Sequence, residues 1–163
     1  MYKRILVPLD GSSFASHALE SAYEIAESFN SDITLLRVVS PVRPVAIANG
    51  TSPFIESPQS VKITMDIARA EEKRNVERAR RYLREKSKTG SCSALKCTYQ
   101  VKIGQPANEI LKLARVEKAD LIVLSTHGRG GIKRAILGSV ADEVVRKFTG
   151  KVLVVHPYSR RRK

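Results

Sequence analysis

Several residue types that mark particular protein classes are scarce in this sequence. It has two cysteines, Cys92 and Cys97, with no second pair, and its three histidines are scattered. A structural zinc site needs four such ligands at short, regular spacings, so this class of fold is excluded. The two cysteines are not expected to form a disulfide in the cytosol, where thiols are kept reduced.

Long apolar segments are missing as well. No apolar run approaches the roughly 20 residues that a membrane-spanning helix needs. The first four residues, Met1-Tyr2-Lys3-Arg4, lead directly into a predicted strand and do not resemble a secretory leader. We therefore expect a soluble, cytoplasmic protein that has no membrane partner and no metal site of its own.

Acidic residues are heavily outnumbered by basic ones. The chain has 29 Lys and Arg against 16 Asp and Glu, a formal net charge of +13. Such a surface attracts polyanions without sequence preference. No zinc finger or aromatic-interleaved RNA-binding pattern accompanies the charge. We interpret the charge as a solvated basic surface with a basic C-terminal tail at residues 158–163, and we predict no specific nucleic-acid partner.

Strand-like and helix-like segments alternate along the chain. Strand patterns cover residues 2–10, 32–39, 95–103, 121–124 and 151–157. Helical periodicity covers residues 14–29, 61–88, 106–116 and 140–148. This alternation predicts a single α/β domain over residues 1–157, with a doubly wound five-stranded parallel sheet in the common order 3-2-1-4-5. The proline-rich residues 40–60 are interpreted as a long inserted loop.

Two features after the fourth predicted strand point to phosphate. The strand ends in the glycine-rich loop at residues 125–131, where backbone N–H groups can approach a ligand closely. Gly138-Ser139 then opens a helix, and Ser139 with Asp142 has the spacing of a capping box. A helix start binds anions through its N–H groups and dipole. An ordinary glycine loop and helix cap would show the same pattern.

The predicted topology brings two chemically suggestive loops together. In a doubly wound sheet, ligands bind outside the carboxyl ends of the strands where the strand order reverses. With order 3-2-1-4-5, that point lies between the first and fourth strands. Asp10 follows the first strand and Ser125 ends the fourth. This predicts a nucleotide site, although Asp10 could equally cap the next helix, for which Ser12 or Ser13 is the expected N-cap.

Over almost its whole length the chain resembles the universal stress protein family, with its Rossmann-like, adenine nucleotide alpha hydrolase-like fold. The resemblance is carried by KRILVPLDGS at residues 3–12, ADLIVLSTHG at 119–128, LGSVA at 137–141 and VLVV at 152–155. The ATP-binding branch of that family has a motif of glycine, two residues, glycine, nine residues, glycine, then Ser or Thr. Gly128, Gly138 and Ser139 match it, whereas Ser125 occupies the position of the first glycine.

The resemblance implies ATP as the ligand, together with Mg²⁺ or Mn²⁺. Asp10 would lie by the nucleoside, and Val38 would offer backbone contacts to the adenine. Ser125 and Gly128 would line the phosphate loop, and residues 138–140 would hold the phosphates. The implied binding residues are Pro8, Asp10, Val38, Ser125, Gly128, Gly138, Ser139 and Val140.

The resemblance also implies a stress-response sensor or adaptor that works as a homodimer. The dimer would form through residues 151–156, because an apolar strand at a sheet edge needs covering. We see no Walker A lysine and no catalytic base motif, so we do not expect an enzyme and assign no catalytic residue. The alternative is a stress-response interaction module that works without a nucleotide.

Overall fold

The computed structural model describes residues 1–43, 58–88, 95–126 and 137–156. Their centre is a five-stranded, all-parallel sheet in the order β3-β2-β1-β4-β5, as predicted. The strands are β1 (Arg4–Pro8), β2 (Asp32–Val39), β3 (Cys97–Ile103), β4 (Leu121–Ser125) and β5 (Lys151–Val155). The helices between them are α1 (Ala15–Phe29), α2 (Pro58–Lys86), α3 (Pro106–Val116) and α4 (Ser139–Lys147).

The helices cover both faces of the sheet, so the doubly wound arrangement is confirmed. One core packs α1 and the end of α2 against the sheet, with Ala18, Ala22 and Leu83 fully buried. The other packs α3 and α4 against the opposite face through residues such as Ile110 and Val144. The central strands need apolar side chains on both faces, which is why residues 5–7 and 121–124 form continuous apolar runs.

Several element boundaries differ from the prediction by one to three residues, and two of these differences concern the connections between elements. Helix α2 begins at Pro58, before the predicted residue 61, so the predicted loop at 40–60 is shorter at its end. Proline breaks a helix interior but fits a first turn, because its missing N–H would have no partner there. Strand β3 begins at Cys97 rather than residue 95. Residues 44–57 of that loop and the tail at 158–163 lie outside the described residues.

In the described residues, the two central strands β1 and β4 pair over a shorter stretch than any other neighbouring strands of the sheet. Strand β1 pairs with β2 from Arg4 through Pro8, and β4 pairs with β5 from Leu121 through Ser125. Between β1 and β4, the pairing within the described residues covers only Ile5–Leu121 and Leu6–Ile122. Strand β1 therefore stays paired with β2, and β4 with β5, up to the carboxyl edge. Strands β1 and β4 separate from each other there, where the strand order reverses.

Candidate functional site

The site lies at the carboxyl edge of the sheet, where β1 and β4 separate. Pro8 ends β1 and Ser125 ends β4, so the fold brings the ends of these two strands to one edge of the sheet, where a crevice is expected. The β1 ladder continues one residue beyond the strand, because the Leu9 N–H donates to the Leu36 carbonyl at 2.8 Å. Asp10 is thus held just past the end of β1, at the strand-order reversal where doubly wound folds bind ligands.

The turn from β1 into α1 is closed by its own side chains. One carboxylate oxygen of Asp10 accepts from the Ser12 N–H at 2.9 Å and from the Ser12 hydroxyl at 2.6 Å. The Ser12 hydroxyl oxygen accepts from the Ala15 N–H at 3.3 Å. The prediction that Ser12 or Ser13 is the N-cap is wrong, because the N-cap is Phe14 and no described side chain caps the helix at that position. The Ser12 hydroxyl instead accepts from the first helical residue, and Asp10 braces the turn. Gly11 sits in this turn at φ +80°, where glycine is favoured.

The start of α4 is built differently. Gly138 is the N-cap, and its carbonyl accepts the first helical hydrogen bond from the Asp142 N–H at 2.9 Å. Within the described residues, no side chain caps this helix start. The N–H groups of the first helical residues, Ser139 and Val140, precede the helical ladder and have no partner within the helix. They are suited to an anionic ligand.

The predicted capping box at this helix is wrong. Ser139 is already the first helical residue, one position past the cap. The Asp142 carboxylate pairs with Arg146 one turn further along the helix instead of reaching back to the cap. The spacing of a capping box is the same whether the helix begins before or after the serine, so the pattern could not distinguish the two.

Thr126 anchors the α4 start to the sheet. Its carbonyl accepts from the Gly138 N–H at 3.1 Å, and its own N–H donates to the Val155 carbonyl at 3.2 Å. Its buried hydroxyl lies 3.2 Å from Nδ1 of His156. A Cβ on Gly138 would stand 3.0 Å from the Thr126 carbonyl oxygen. Because Gly138 has an ordinary φ of −59°, glycine is needed here for space and not for backbone conformation.

On the β2 side of this edge, Arg37 lies against the Asp10 turn. Its Nη1 donates to the Leu9 carbonyl at 3.2 Å. A Cβ on Gly11 would come within 2.4 Å of the same nitrogen. The guanidinium also lies over the ring of Tyr82 from α2, 5.7 Å from its centroid. Burial raises the pKa of Tyr82, and Asp10 raises it further, while Arg37 opposes both.

Most of the predicted binding residues surround the crevice. Pro8, Asp10 and Ser125 lie at the ends of β1 and β4, and residues 138–140 form the start of α4. Val38 lies near the end of β2, half-buried against the core on the α3 and α4 side. Gly128 lies outside the described residues.

Three residues at this edge were not predicted to matter. They are Thr126, Arg37 and Tyr82. Arg37 carried a signal, because it interrupts the apolar run DITLLRVV at a position that shares a sheet face with the buried Ile33 and Leu35. A charge at such a position needs a partner. Tyr82 gave no comparable signal, since a tyrosine in the buried stripe of a helix is ordinary.

Comparison with known proteins identifies the family. The family described as the universal stress protein family matches residues 1–156. The universal stress protein MJ0531 of Methanocaldococcus jannaschii is 31% identical over 157 residues, which is 95% of this chain and 82% of that protein. The chain belongs to the universal stress protein family. Another universal stress protein of the same organism, MJ0577, is 29% identical over 95% of both chains.

Solved structures of universal stress proteins share the fold. The structure of MJ0577 aligns with a TM-score of 0.77 and 26% identity, covering 97% of this chain and 98% of that one. A universal stress protein in complex with cAMP aligns with a TM-score of 0.64 over 96% of this chain and 99% of the other, at 23% identity. The latter likeness concerns the fold alone.

Two further observations concern the described residues as a whole. Among the described residues, no helix is long and apolar enough to cross a membrane. The same part of the chain contains no group of three or more His, Cys, Asp or Glu side chains placed to hold a metal ion.

Proposed function

We propose that this universal stress protein is a cytoplasmic ATP-binding sensor or adaptor that binds the nucleotide without serving as an enzyme. The observation that carries the proposal is the start of α4, where Gly138 leaves room beside the Thr126 carbonyl and no described side chain caps the helix. The phosphates would accept from the N–H groups of Ser139 and Val140 and from the Ser139 hydroxyl, while Gly138, whose N–H bonds Thr126, would leave room for them. The helix dipole favours the negative charge placed there.

The nucleoside would lie beside the strand reversal, over the ends of β1 and β2. Asp10 has one carboxylate oxygen engaged by Ser12, and its other oxygen would accept from a ligand hydroxyl or amine. The backbone of Val38, close to the end of β2, would contact the adenine. Ser125 and Gly128 would line the phosphate loop opposite.

A divalent cation fits this proposal as a companion of the phosphates. Mg²⁺ commonly binds through phosphate oxygens and water, with one or two protein ligands at most. In the described residues the crevice offers the hydroxyl of Ser139 and the carboxylate of Asp10 as oxygen ligands of that kind. Either Mg²⁺ or Mn²⁺ would neutralise phosphate charge and strengthen binding.

Calorimetric titration with ATP, with and without Mg²⁺, tests this proposal. We expect micromolar binding by the wild-type protein and a loss of at least about a hundredfold in Gly138→Asp, because the new carboxylate occupies the phosphate position and repels its charge. Ser60→Asp introduces the same aspartate side chain in the first turn of α2 and serves as the control. Absence of wild-type binding would contradict the proposal.

The alternative is an interaction module that works without a nucleotide. The observation that favours it is Ser125, which stands at the half-buried end of β4 where the ATP-binding motif has glycine. Its side chain reduces the space available beside a phosphate. If Ser125→Gly gains ATP binding that the wild-type protein lacks, this alternative is correct.

We also propose a homodimer formed through β5. This strand is at one edge of the sheet and is apolar over residues 152–155, with Leu153 36% exposed. An uncovered strand edge of this composition favours pairing with another strand. We expect Leu153→Lys to shift the protein from dimer to monomer in light scattering at micromolar concentration. Tyr99→Lys, on the opposite edge strand β3, should leave the dimer intact; a monomeric wild type would overturn the assignment.

A further inference from the structure

Behind the Asp10 turn, three side chains outside the family's glycine motif form a stack between β2 and α2. Arg37 comes from β2, while Tyr82 and Lys86 come from the last turns of α2. The guanidinium and the ammonium lie over the Tyr82 ring, 5.7 Å and 5.8 Å from its centroid. Cations over a tyrosine face are attracted to its π-system. The stack joins helix α2 to the strand that ends beside the crevice.

Arg37 connects this stack directly to the turn that carries Asp10. It donates to the Leu9 carbonyl, immediately before Asp10, and packs against Gly11, immediately after it. The two residues that flank Asp10 are therefore both in contact with one guanidinium. A displacement of Arg37 would remove a hydrogen bond on one side of Asp10 and a packing surface on the other.

Lys86 connects the other end of the stack to α1. Its ammonium donates to the Ser16 hydroxyl at 3.2 Å, and its carbonyl accepts from the Tyr23 hydroxyl at 3.0 Å. The first and second halves of α1 are thereby attached to the same turn of α2. The Asp10 turn, α1 and α2 meet in one cluster of contacts.

The ring of Tyr82, and not its hydroxyl, makes these contacts. Among the described residues, the Tyr82 hydroxyl is enclosed and has no hydrogen-bond partner. Burial raises the pKa of the phenol, so the side chain stays neutral and adds no negative charge beside Asp10. The aromatic face is what holds Arg37 in position.

We propose that Arg37 and Tyr82 are positioning residues for the nucleoside end of the site, so that the second half of α2 controls how Asp10 meets its ligand. The proposal rests on the proposed ATP binding. It makes α2 responsive to the nucleotide: a ligand that engages Asp10 stabilises the stack, and a change in α2 that disturbs the stack weakens binding. Phosphate binding at α4 does not depend on it.

A double-mutant cycle tests this coupling. Arg37→Met keeps the length of the side chain and removes its charge, and Tyr82→Leu removes the aromatic face. We expect each to weaken ATP binding about tenfold, and the double variant to be no weaker than either single one, because both break the same contact. Arg84→Met and Tyr99→Leu, at exposed positions of α2 and β3, are the matched controls and should leave the affinity unchanged.

Two further measurements separate positioning from general destabilisation. Tripolyphosphate, used as a competitor for ATP, should bind the wild type and the Arg37 and Tyr82 variants equally, because it reaches only the start of α4. Tyr82→Phe should keep its ATP affinity within about twofold and lose no thermal stability, because the deleted hydroxyl has no partner among the described residues.

The outcomes distinguish this inference from the proposed function. A wild-type protein that binds no ATP overturns both. Wild-type binding with unchanged affinity in Arg37→Met and Tyr82→Leu, or with additive losses in the double variant, overturns the positioning role alone. So does an equal loss of tripolyphosphate binding, which would show that the variants damage the whole site. A tenfold loss in Tyr82→Phe would assign the role to the hydroxyl instead.

Discussion

Helices α1 and α4 both begin at the carboxyl edge of the sheet, and in the described residues neither has a side-chain cap at its N-cap position, yet a serine hydroxyl bonds the first residue of α1 alone. At α1, the Ser12 hydroxyl accepts from the Ala15 N–H, and the Ser13 carbonyl accepts from the Ser16 N–H. At α4, no side chain from the described residues caps the start, and the N-cap is a glycine. A helix start that the chain closes itself is structural, whereas one left open at the same edge is available to a ligand.

Gly11 and Gly138, the glycines at these two helix starts, also differ in the reason why glycine is required. Gly11 adopts φ +80° and lies under the Arg37 guanidinium, so both conformation and space require glycine. Gly138 has an ordinary backbone conformation, and among the described residues a Cβ there would meet only the Thr126 carbonyl. The turn before α1 therefore depends on its glycine for folding, and the turn before α4 depends on its glycine for access.

The largest expected effects on stability and ATP binding come from substituting these two glycines. Gly11→Ala should lower the free energy of unfolding by about 2 kcal/mol, because a side chain is strained at positive φ. Gly138→Ala should cost less than about 1 kcal/mol, since its backbone conformation suits any residue. Gly138→Ala should nevertheless weaken ATP binding about tenfold, although its cost in stability is small.

Urea unfolding and ATP titration of both variants check this prediction. A Gly138→Ala variant as unstable as Gly11→Ala would show that both turns serve the fold equally, and the contrast between the helix starts would be lost.

A smaller effect is expected from the two serines. Ser12→Ala removes the acceptor for the Ala15 N–H and a donor to Asp10, so it should destabilise the protein by about 1 kcal/mol. Ser139→Ala should change the unfolding free energy by no more than a few tenths of a kcal/mol, roughly the noise of surface substitutions, because its hydroxyl caps nothing in the described structure. Thermal melting without nucleotide measures both; equal losses would count against the open start of α4.

The smallest effect is expected at the opposite edge of the sheet, away from the crevice. Asp120 accepts from the backbone N–H groups of Lys3 and Arg4 at 2.8 and 2.9 Å. The hydrogen bond from Lys3, aided by that from Arg4, lowers the pKa of this carboxyl group below its usual value. Asp120→Asn should cost less than about 1 kcal/mol at neutral pH, because the carboxylate is exposed, and should leave ATP binding unchanged.

The sign of the pH dependence follows from the direction of that shift. A carboxyl group with a lowered pKa in the folded protein stabilises it above the unfolded value of about 4. This stability is lost as the pH falls through the lower folded value. The difference between wild type and Asp120→Asn should therefore be constant above about pH 5 and shrink in more acid solution. A difference that grows in acid, measured by urea unfolding across this range, would reverse the assignment.

The sequence was sufficient to predict a parallel sheet because each central strand is buried on both faces, and the order 3-2-1-4-5 was the common one for a doubly wound sheet. Such burial forces the apolar runs at residues 5–7 and 121–124 and restricts the chain to parallel crossovers. The position of the crevice followed from the strand order alone. Gly138 and Ser139 could be assigned to it because they lie a short distance along the chain from β4.

Features that depend on distant parts of the chain could not be predicted in this way. The contact between Arg37 and Tyr82 exists only because α2 returns along the sheet after the long connection that follows β2. The capping box failed for a local reason, since Asp142 had a closer basic partner in Arg146. Pairwise spacing along a helix does not show which of two partners a carboxylate takes.

The most direct test of the open helix start is a matched pair of charge substitutions, Ser139→Asp at α4 and Ser13→Asp at α1. Both place a carboxylate at an exposed helix start, where the dipole should stabilise the fold by about 0.3–1 kcal/mol. Calorimetric titration with ATP should show a loss of about thirtyfold or more for Ser139→Asp, because the carboxylate competes with the phosphates, and less than threefold for Ser13→Asp. Equal losses in the two variants, or full ATP binding by Ser139→Asp, would contradict the account.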